Sequence, residues 1–236
     1  MLPVAILAGG LAKRIRPLTE KIPKALVEVN GRPFIDHQLE LLRSEGIEEV
    51  VLCLGFFSEQ VIGYLGDGGR YRLKIRFSVD GGQPLGTGGA LKKALPLLGG
   101  QFFILYGDSY LPINYGAVGD AFARSSKKAL MTVFRNGGRW DASNVAYEPC
   151  GGGNAGRVVA YDKKTPAHGM DYIDYGLSCC KADEILKETR DAFDIADVFS
   201  RLSSEGQLAG FEATERFYEI GSFGGIADFS RYLEGR

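Results

Sequence analysis

The chain has 236 residues, enough for one domain with a substantial core, and 45% of them are hydrophobic against 24% charged, an ordinary globular balance. A formal net charge of −1 excludes a global positive field for nucleic acid or an anionic membrane, so any anion must be bound locally. Cys53, Cys150, Cys179 and Cys180 form no C-x-x-C pair and only His37 and His168 accompany them, which argues against a disulfide framework or a zinc site. No apolar run approaches membrane-spanning length, and residues 3–8 are too short for a signal h-region, so a soluble cytoplasmic protein is expected.

Residues 3–8 (PVAILA) form a continuous apolar run stopped by Gly9-Gly10, as a strand buried on both faces would be. Ile35, Leu39 and Leu42 recur at helical spacing over 34–44, with Gly46 placed as a C-terminal cap. A second strand is expected at 49–54 (EVVLCL), a helix over 59–65 capped by Ser58, and a third strand at 74–79. Thr87 can cap a helix over 88–95, and FFILY at 102–106 reads as a fourth strand. This alternation predicts an α/β fold with a parallel sheet covered by helices on both faces. Ligands in such sheets bind beyond the carboxyl ends of the strands, here the loops after Ala8 and Val79 and the Gly107-Asp108 step. Past residue 110 the pattern is less regular. A helix ending near Ser126, a strand at 129–134 and a hairpin-type pair at 144–147 and 157–161 are expected, then a strand at 172–180. A helix over 195–202, strands at 208–213 and 217–220 and a helix over 222–233 close the chain, with no linker or repeat.

The segment LAGGLAKRIRPLT at 7–19 places small residues directly after a strand, where backbone N–H groups can approach a phosphate, and adds the charges of Lys13 and Arg14. Glycines alone read equally well as an ordinary βα turn, and neither a P-loop nor a dinucleotide fingerprint occurs. Lys24, held behind Pro23, offers a point charge to an anionic substrate, a weak signal by itself.

Together these segments resemble the amino-terminal signature of the sugar-1-phosphate nucleotidyltransferase family, G-G-x-G-T-R-[LM]-x-P-L-T followed by P-K-x-[LM]. QPLGTGGA at 83–90 is similar to the family's second nucleotide loop, and YGD at 106–108 to its G-D step. YDK at 161–163 is similar to its E-K-P segment and YEIGS at 218–222 to its D-[IV]-G-[ST] motif. The five segments follow the family's order along essentially the whole chain. The resemblance implies a single-domain, Rossmann-like three-layer α/β/α sandwich with a mainly parallel mixed sheet over 1–236. In it, residues 1–110 would bind the nucleotide and residues 111–236 the sugar phosphate. It implies that Leu7, Ala8, Gly9, Gly10 and Lys13 line the nucleotide and that Arg14 meets its β- and γ-phosphates. Lys24 would contact the transferred phosphate and the sugar phosphate, and Gln83 and Gly88 the base. Asp108 would hold Mg²⁺ with Glu219 as second carboxylate, Arg14, Lys24 and Asp108 forming the catalytic set. Asp162 and Lys163 would bind the sugar phosphate, with Asn144 and Gly176 beside the sugar. The partners implied are an NTP and a sugar 1-phosphate, without nucleic acid or membrane, in a monomer or small homo-oligomer.

The chain departs from the signature in places. Ala12 stands at a usual glycine and disfavours positive φ, so a slightly different backbone is expected there. Lys13 stands at a usual threonine, Asp162 at a glutamate, Glu219 at an aspartate, and Phe223-Gly224-Gly225 replaces a more polar segment. The PLGTGGA loop is most similar to guanylyltransferases acting on heptose or mannose 1-phosphate, which favours GTP and a heptose or hexose. Gln83, where those enzymes carry glutamate, instead resembles the uridylyl- and thymidylyltransferases, whose amide pairs with a donor and an acceptor on the base. Trp140, Tyr147, Tyr172 and Tyr175 are candidates to stack on a sugar or to pack in the core. Asp108-Ser109-Tyr110 lacks the second aspartate of a D-x-D glycosyltransferase. A non-catalytic nucleotide-sugar-binding regulator and a phosphocholine cytidylyltransferase are the other readings.

Overall fold

The continuous apolar runs of the first half become the inner strands of a nine-stranded sheet. A computed structural model describes residues 1–10, 12–140, 142–151, 153–163 and 170–235; Gly152 and His168 lie outside them. In chain order the elements are β1 (Val4–Ala8), β2 (Glu28–Val29), β3 (Arg32–Pro33), α1 (Phe34–Ser44), β4 (Glu49–Leu54), α2 (Ser58–Leu65), β5 (Lys74–Val79), α3 (Gly86–Leu98) and β6 (Gln101–Tyr106). β7 (Ser109–Tyr110), α4 (Tyr115–Ser125), β8 (Ala129–Arg135), β9 (Val145–Pro149), β10 (Ala155–Tyr161), β11 (Tyr172–Lys181) and α5 (Ala182–Leu186) follow. α6 (Ile195–Ser204), β12 (Leu208–Ala213), β13 (Tyr218–Glu219) and α7 (Phe223–Glu234) complete the chain.

The sheet order is β5-β4-β1-β6-β11-β8-β12-β10-β9. The first four strands are mutually parallel, β11 enters antiparallel to β6, and β8 and β12 pair parallel to each other. Side chains alternate across β1, so Val4 and Ile6 join Ile35, Leu39, Val61 and Phe122 on one face while Ala5 joins Leu91, Leu98, Phe199 and Leu202 on the other. Those two apolar layers make the three-layer α/β/α sandwich with a mainly parallel mixed sheet.

Differences from the expected elements have local causes. α3 starts two residues before the expected helix and runs to Leu98. Thr87 is not its cap: the hydroxyl donates instead to Asp194 Oδ1 at 2.8 Å. The short ribbon β2–β3, the helix α5 and the strand β7 carry too few periodic residues to be read from sequence. β7 matters most, because its antiparallel pairing with β13 returns the chain's last quarter to the end of β6.

Candidate active site

The loops leaving β1, β4, β5 and β6 surround a cavity of about 750 Å³. Its floor is backbone: a Cβ on Gly55 would stand 2.8 Å from Gly9 O, and one on Gly107 would stand 2.8 Å from Ala8 Cβ. Only glycine permits that approach, so backbone forms the floor where a ligand can settle. Leu7, Ala8, Gly9, Gly10, Lys24, Gln83 and Asp108 all line this cavity. Lys13 belongs to a short 3-10 turn, Lys13–Ile15, and its side chain lies outside the described part of the structure. Gly88 is buried in α3, between cavity-lining Thr87 and Ala90 but not itself among the lining residues; its N–H donates to Phe193 O at 2.9 Å, and a Cβ there would meet the Phe193 ring at 2.1 Å.

The charged groups gather at the mouth. Lys24 Nζ donates to Asp108 Oδ2 at 2.8 Å. The turn that presents Asp108 is braced by buried Gln38, whose Nε2 donates to Tyr106 O at 3.1 Å and Ser109 O at 2.8 Å. The β7–β13 ribbon adds a bond from Ile220 N to Asp108 O at 2.9 Å and so delivers Glu219. A Cβ on Gly221 would stand 2.6 Å from Glu219 Oε2, 2.8 Å from Arg14 Nη2 and 3.3 Å from Asp108 Oδ2, so three groups from distant parts of the chain meet at one glycine. Glu219 is folded back onto the start of α7, accepting from the Gly221 N–H and, at 2.6 Å, from the Ser222 hydroxyl. Arg14 is exposed. Ala12, just before it, has φ +47°. The expectation that the backbone would avoid the glycine conformation here is therefore overturned: the loop keeps it, and Thr19 Oγ1 donates to Ala12 O at 2.8 Å to hold it.

Mg²⁺ takes hard oxygens, usually one or two carboxylates with substrate phosphates and water. Asp108 and Glu219 converge on one point, and no cluster of three His, Cys, Asp or Glu able to hold a metal occurs among the described residues. Asp108 and Glu219 are the hard-oxygen groups at this point that could share such a cation with a polyphosphate, and Glu219 would have to release its bonds to Gly221 N–H and the Ser222 hydroxyl to do so.

The second half approaches the same strand end. Asp162 N donates to Asn144 O at 3.1 Å, and Asp174 N donates to Asn144 Oδ1 at 3.0 Å, so Asn144 ties together the ends of three strands. Gly176 sits in a bulge of β11 at φ +106°, and a Cβ there would lie 3.6 Å from Ser109 Oγ and 3.7 Å from the Tyr106 ring. Lys163 Nζ stands 5.7 Å from the Tyr106 ring centroid and 3.7 Å from Asp194 Oδ2. Burial pushes the Asp174 carboxyl up to about 6, against the pull of the Gly176 N–H, the Lys163 ammonium and the Tyr161 hydroxyl. Of the aromatic candidates, Tyr147 and Tyr175 are core residues. Tyr172 packs on Tyr147 and exposed Trp140 on Arg216.

Three residues of this region escape sequence reasoning. Gln38 occupies the same helical stripe as Ile35, Leu39 and Leu42, and a polar residue in an apolar stripe is a readable signal. Asp80 follows β5, lines the cavity and has a buried Oδ1 without a hydrogen-bond partner among the described residues. Asp194 reaches Thr87 across a separation of 107 residues, which leaves no local trace.

A mixed, mainly parallel sheet with glycine-floored loops and an Arg–Lys–carboxylate cluster beyond its strand ends defines an α/β protein of Rossmann-like fold. Residues 4–144 match the Nucleotidyl transferase family, and the chain belongs to that family, the one its motifs resemble. It is 30% identical over 226 residues to an N-acetylmuramate alpha-1-phosphate uridylyltransferase from Caulobacter vibrioides, covering 92% of this chain and 90% of that one. It is 35% identical over 109 residues to a D-glycero-alpha-D-manno-heptose 1-phosphate guanylyltransferase from Campylobacter jejuni, covering 46% of this chain and 48% of that one. Matches to several curated relatives span 49%, 60% and 48% of their lengths. The fold is shared with HddC from Yersinia pseudotuberculosis complexed with GMP-PN, with a TM-score of 0.78, 22% identity and coverage of 99% and 100% of the two chains. No helix among the described residues is long and apolar enough to cross a membrane.

Proposed function

We propose that this chain transfers a nucleotidyl group from an NTP to a sugar 1-phosphate, forming an NDP-sugar and pyrophosphate, with GTP as the nucleotide and a heptose or hexose 1-phosphate as the acceptor. The convergence of Arg14, Asp108 and Glu219 around Gly221, with Lys24 on Asp108, is the observation that carries this reading. A sugar phosphate oxygen attacks the α-phosphorus, the bond from that phosphorus to the β-phosphate bridging oxygen breaks, and the electron pair leaves with pyrophosphate. The nucleophile is already ionised near neutral pH, so no side chain has to remove a proton. The barrier is the approach of two anions, and Arg14 on the triphosphate, Lys24 at the transferred phosphate and Lys163 on the sugar phosphate lower it by neutralising and orienting them. Mg²⁺ held by Asp108 and Glu219 would supply further neutralisation of the phosphate oxygens.

The choice of GTP is supported by the PLGTGGA loop, which is most similar to that of guanylyltransferases acting on heptose or mannose 1-phosphate, and by the 35% identity over 109 residues to a heptose 1-phosphate guanylyltransferase. The second reading, a pyrimidine triphosphate, is favoured by Gln83, exposed at the cavity lip with a donor and an acceptor to offer. Pyrophosphate release with Mg²⁺ decides between them when GTP, UTP, dTTP, CTP and ATP are crossed with a panel of sugar 1-phosphates. Release that requires both GTP and one sugar phosphate is expected. Release confined to UTP or dTTP would transfer the base assignment to Gln83, and none with any pair would leave a non-catalytic nucleotide-sugar binder.

A further inference from the structure

The segment between α5 and α6 is strapped to the first turns of α3. Lys92 Nζ donates to Glu188 O at 2.9 Å and Arg190 O at 3.1 Å, Phe193 N donates to Leu85 O at 3.0 Å, and Gly88 N returns to Phe193 O. The glycines of the PLGTGG loop leave room for this strap, since a Cβ on Gly86 would meet Phe193 O at 2.5 Å and one on Gly89 would meet Asp191 O at 2.2 Å. The strap ends at Asp194. Its Oδ1 accepts from the Thr87 hydroxyl at 2.8 Å and from Ala196 N at 2.9 Å, and Thr87 Oγ1 in turn accepts from Ile195 N at 2.9 Å. Its Oδ2 faces Lys163 Nζ at 3.7 Å. One carboxylate thus touches the helix start that lines the nucleotide cavity and the lysine that comes from the other half of the sheet.

We propose that Asp194 is a positioning residue that fixes Lys163 relative to the nucleotide loop, so that the sugar phosphate is received at the distance the transfer requires. The proposal rests on the reading of Lys163 as a sugar-phosphate ligand. Both partners of the Lys163–Asp194 pair are about half exposed, so in the free protein the pair contributes little to stability. Its effect is on placement: a long, flexible ammonium is held near the Tyr106 ring instead of ranging through solvent, and the pair strengthens once two substrates displace water from around it. Thr87 joins the nucleotide side to the same carboxylate, so a displacement of α3 is transmitted to Lys163 through one hydrogen bond and one ion pair and not through the sheet.

Steady-state kinetics with GTP and mannose 1-phosphate, or with the pair that the release panel selects, test this on wild type, Lys163→Ala, Asp194→Asn, Thr87→Val and the double variant Lys163→Ala/Asp194→Asn. Asparagine keeps the cap on α6 and can still accept from Thr87, so Asp194→Asn isolates the charge facing Lys163. Asp194→Asn is expected to raise the KM for the sugar phosphate about fivefold, the size of effect a weak pair can exert. It should leave the KM for the nucleotide within about twofold and the melting temperature within about 2 °C. The double variant is expected to be no worse than Lys163→Ala alone, because the two residues act through one ammonium. Thr87→Val should raise both KM values. A sugar-phosphate KM unchanged in Asp194→Asn while Lys163→Ala is impaired, or additive losses in the double variant, would overturn the proposal and leave the functional reading intact. An unchanged KM in Lys163→Ala would instead remove the role of Lys163 on which the proposal stands. Equal loss in both KM values with a lower melting temperature in Asp194→Asn would reduce Asp194 to a structural cap.

Discussion

Asp108 carries opposite demands in one carboxylate. Its Oδ2 is paired with Lys24 at 2.8 Å, and the same oxygen lies near the point where Arg14 and Glu219 meet. Asp108→Asn keeps the shape of the side chain and its place on the Gln38-braced turn but removes the charge. Turnover is expected to fall by about 10²–10³, with an unchanged circular dichroism spectrum and melting temperature. Near-normal turnover would withdraw Asp108 from the chemistry. Ala12 gives a prediction of opposite sign. It holds φ +47° where glycine would be unstrained. Left-handed backbone costs a non-glycine residue about 1–2 kcal/mol, and glycine's extra unfolded-state entropy returns about half of that. Ala12→Gly should therefore raise the melting temperature by about 1–4 °C in calorimetry. Asp174 supplies the pH dependence. Its carboxyl is held at about 6 against an ordinary value of 3.8, so between those values the folded state binds more protons than the unfolded one. The contribution of this group to stability is present below about pH 4 and is lost as the pH rises through about 6. Asp174→Asn mimics the neutral form and should stabilise the protein at about pH 8, by at most about 3 kcal/mol at 1.36 kcal/mol per pKa unit, and be neutral at about pH 4. Urea titrations at both pH values measure it; equal effects at both would show that the burial of this carboxyl carries no penalty.

α3 shows how one element serves packing and site together. Gly88 and Gly89 press against the 191–193 strap while Gly86, Thr87 and Ala90 line the cavity. Gly88→Ala would drive a methyl into the Phe193 ring, and overpacking of this kind costs about 1–3 kcal/mol. The variant should unfold at lower urea and show a raised nucleotide KM, because the strap and the first turn of α3 must move apart. What is legible in the sequence follows from the range of the interactions. β1, β4, α1 and β6 are announced by apolar runs or a repeating stripe within a dozen residues, and the motifs after Ala8 and at Gly107-Asp108 lie at the strand ends where the topology puts ligands. Motif position alone does not reveal that Gly88 packs against Phe193, because that partner lies far along the chain. Thr87 reads as a helix cap because its true partner, Asp194, is equally remote. Gln38 is the readable exception, a polar residue in an apolar stripe, and it is the residue that fixes the turn bearing Asp108.

The site as a whole exists only when both halves of the chain share one sheet. β6, which ends just before Asp108, pairs with β1 on one side and with β11 on the other, and β11 carries Asp174 and Gly176. Arg14 comes from the first loop and Glu219 from the last ribbon, and both lie over Gly221, 2.8 Å and 2.6 Å from where its Cβ would stand. Phe229 of α7 packs on Phe34 of α1 and on Tyr110 of β7, so the closing helix is locked onto elements from the first half. A sheet whose middle strands come from both halves has no weak seam at which nucleotide and sugar sides could open independently. Urea unfolding should accordingly be one cooperative transition. Trp140, the sole tryptophan, reports on the second half by fluorescence, and far-UV circular dichroism reports on the whole. The two curves should coincide, with one midpoint. If the fluorescence transition preceded the circular dichroism transition, the second half would be a separately unfolding unit, and the division at residue 110 would mark a domain boundary instead of two sides of one site.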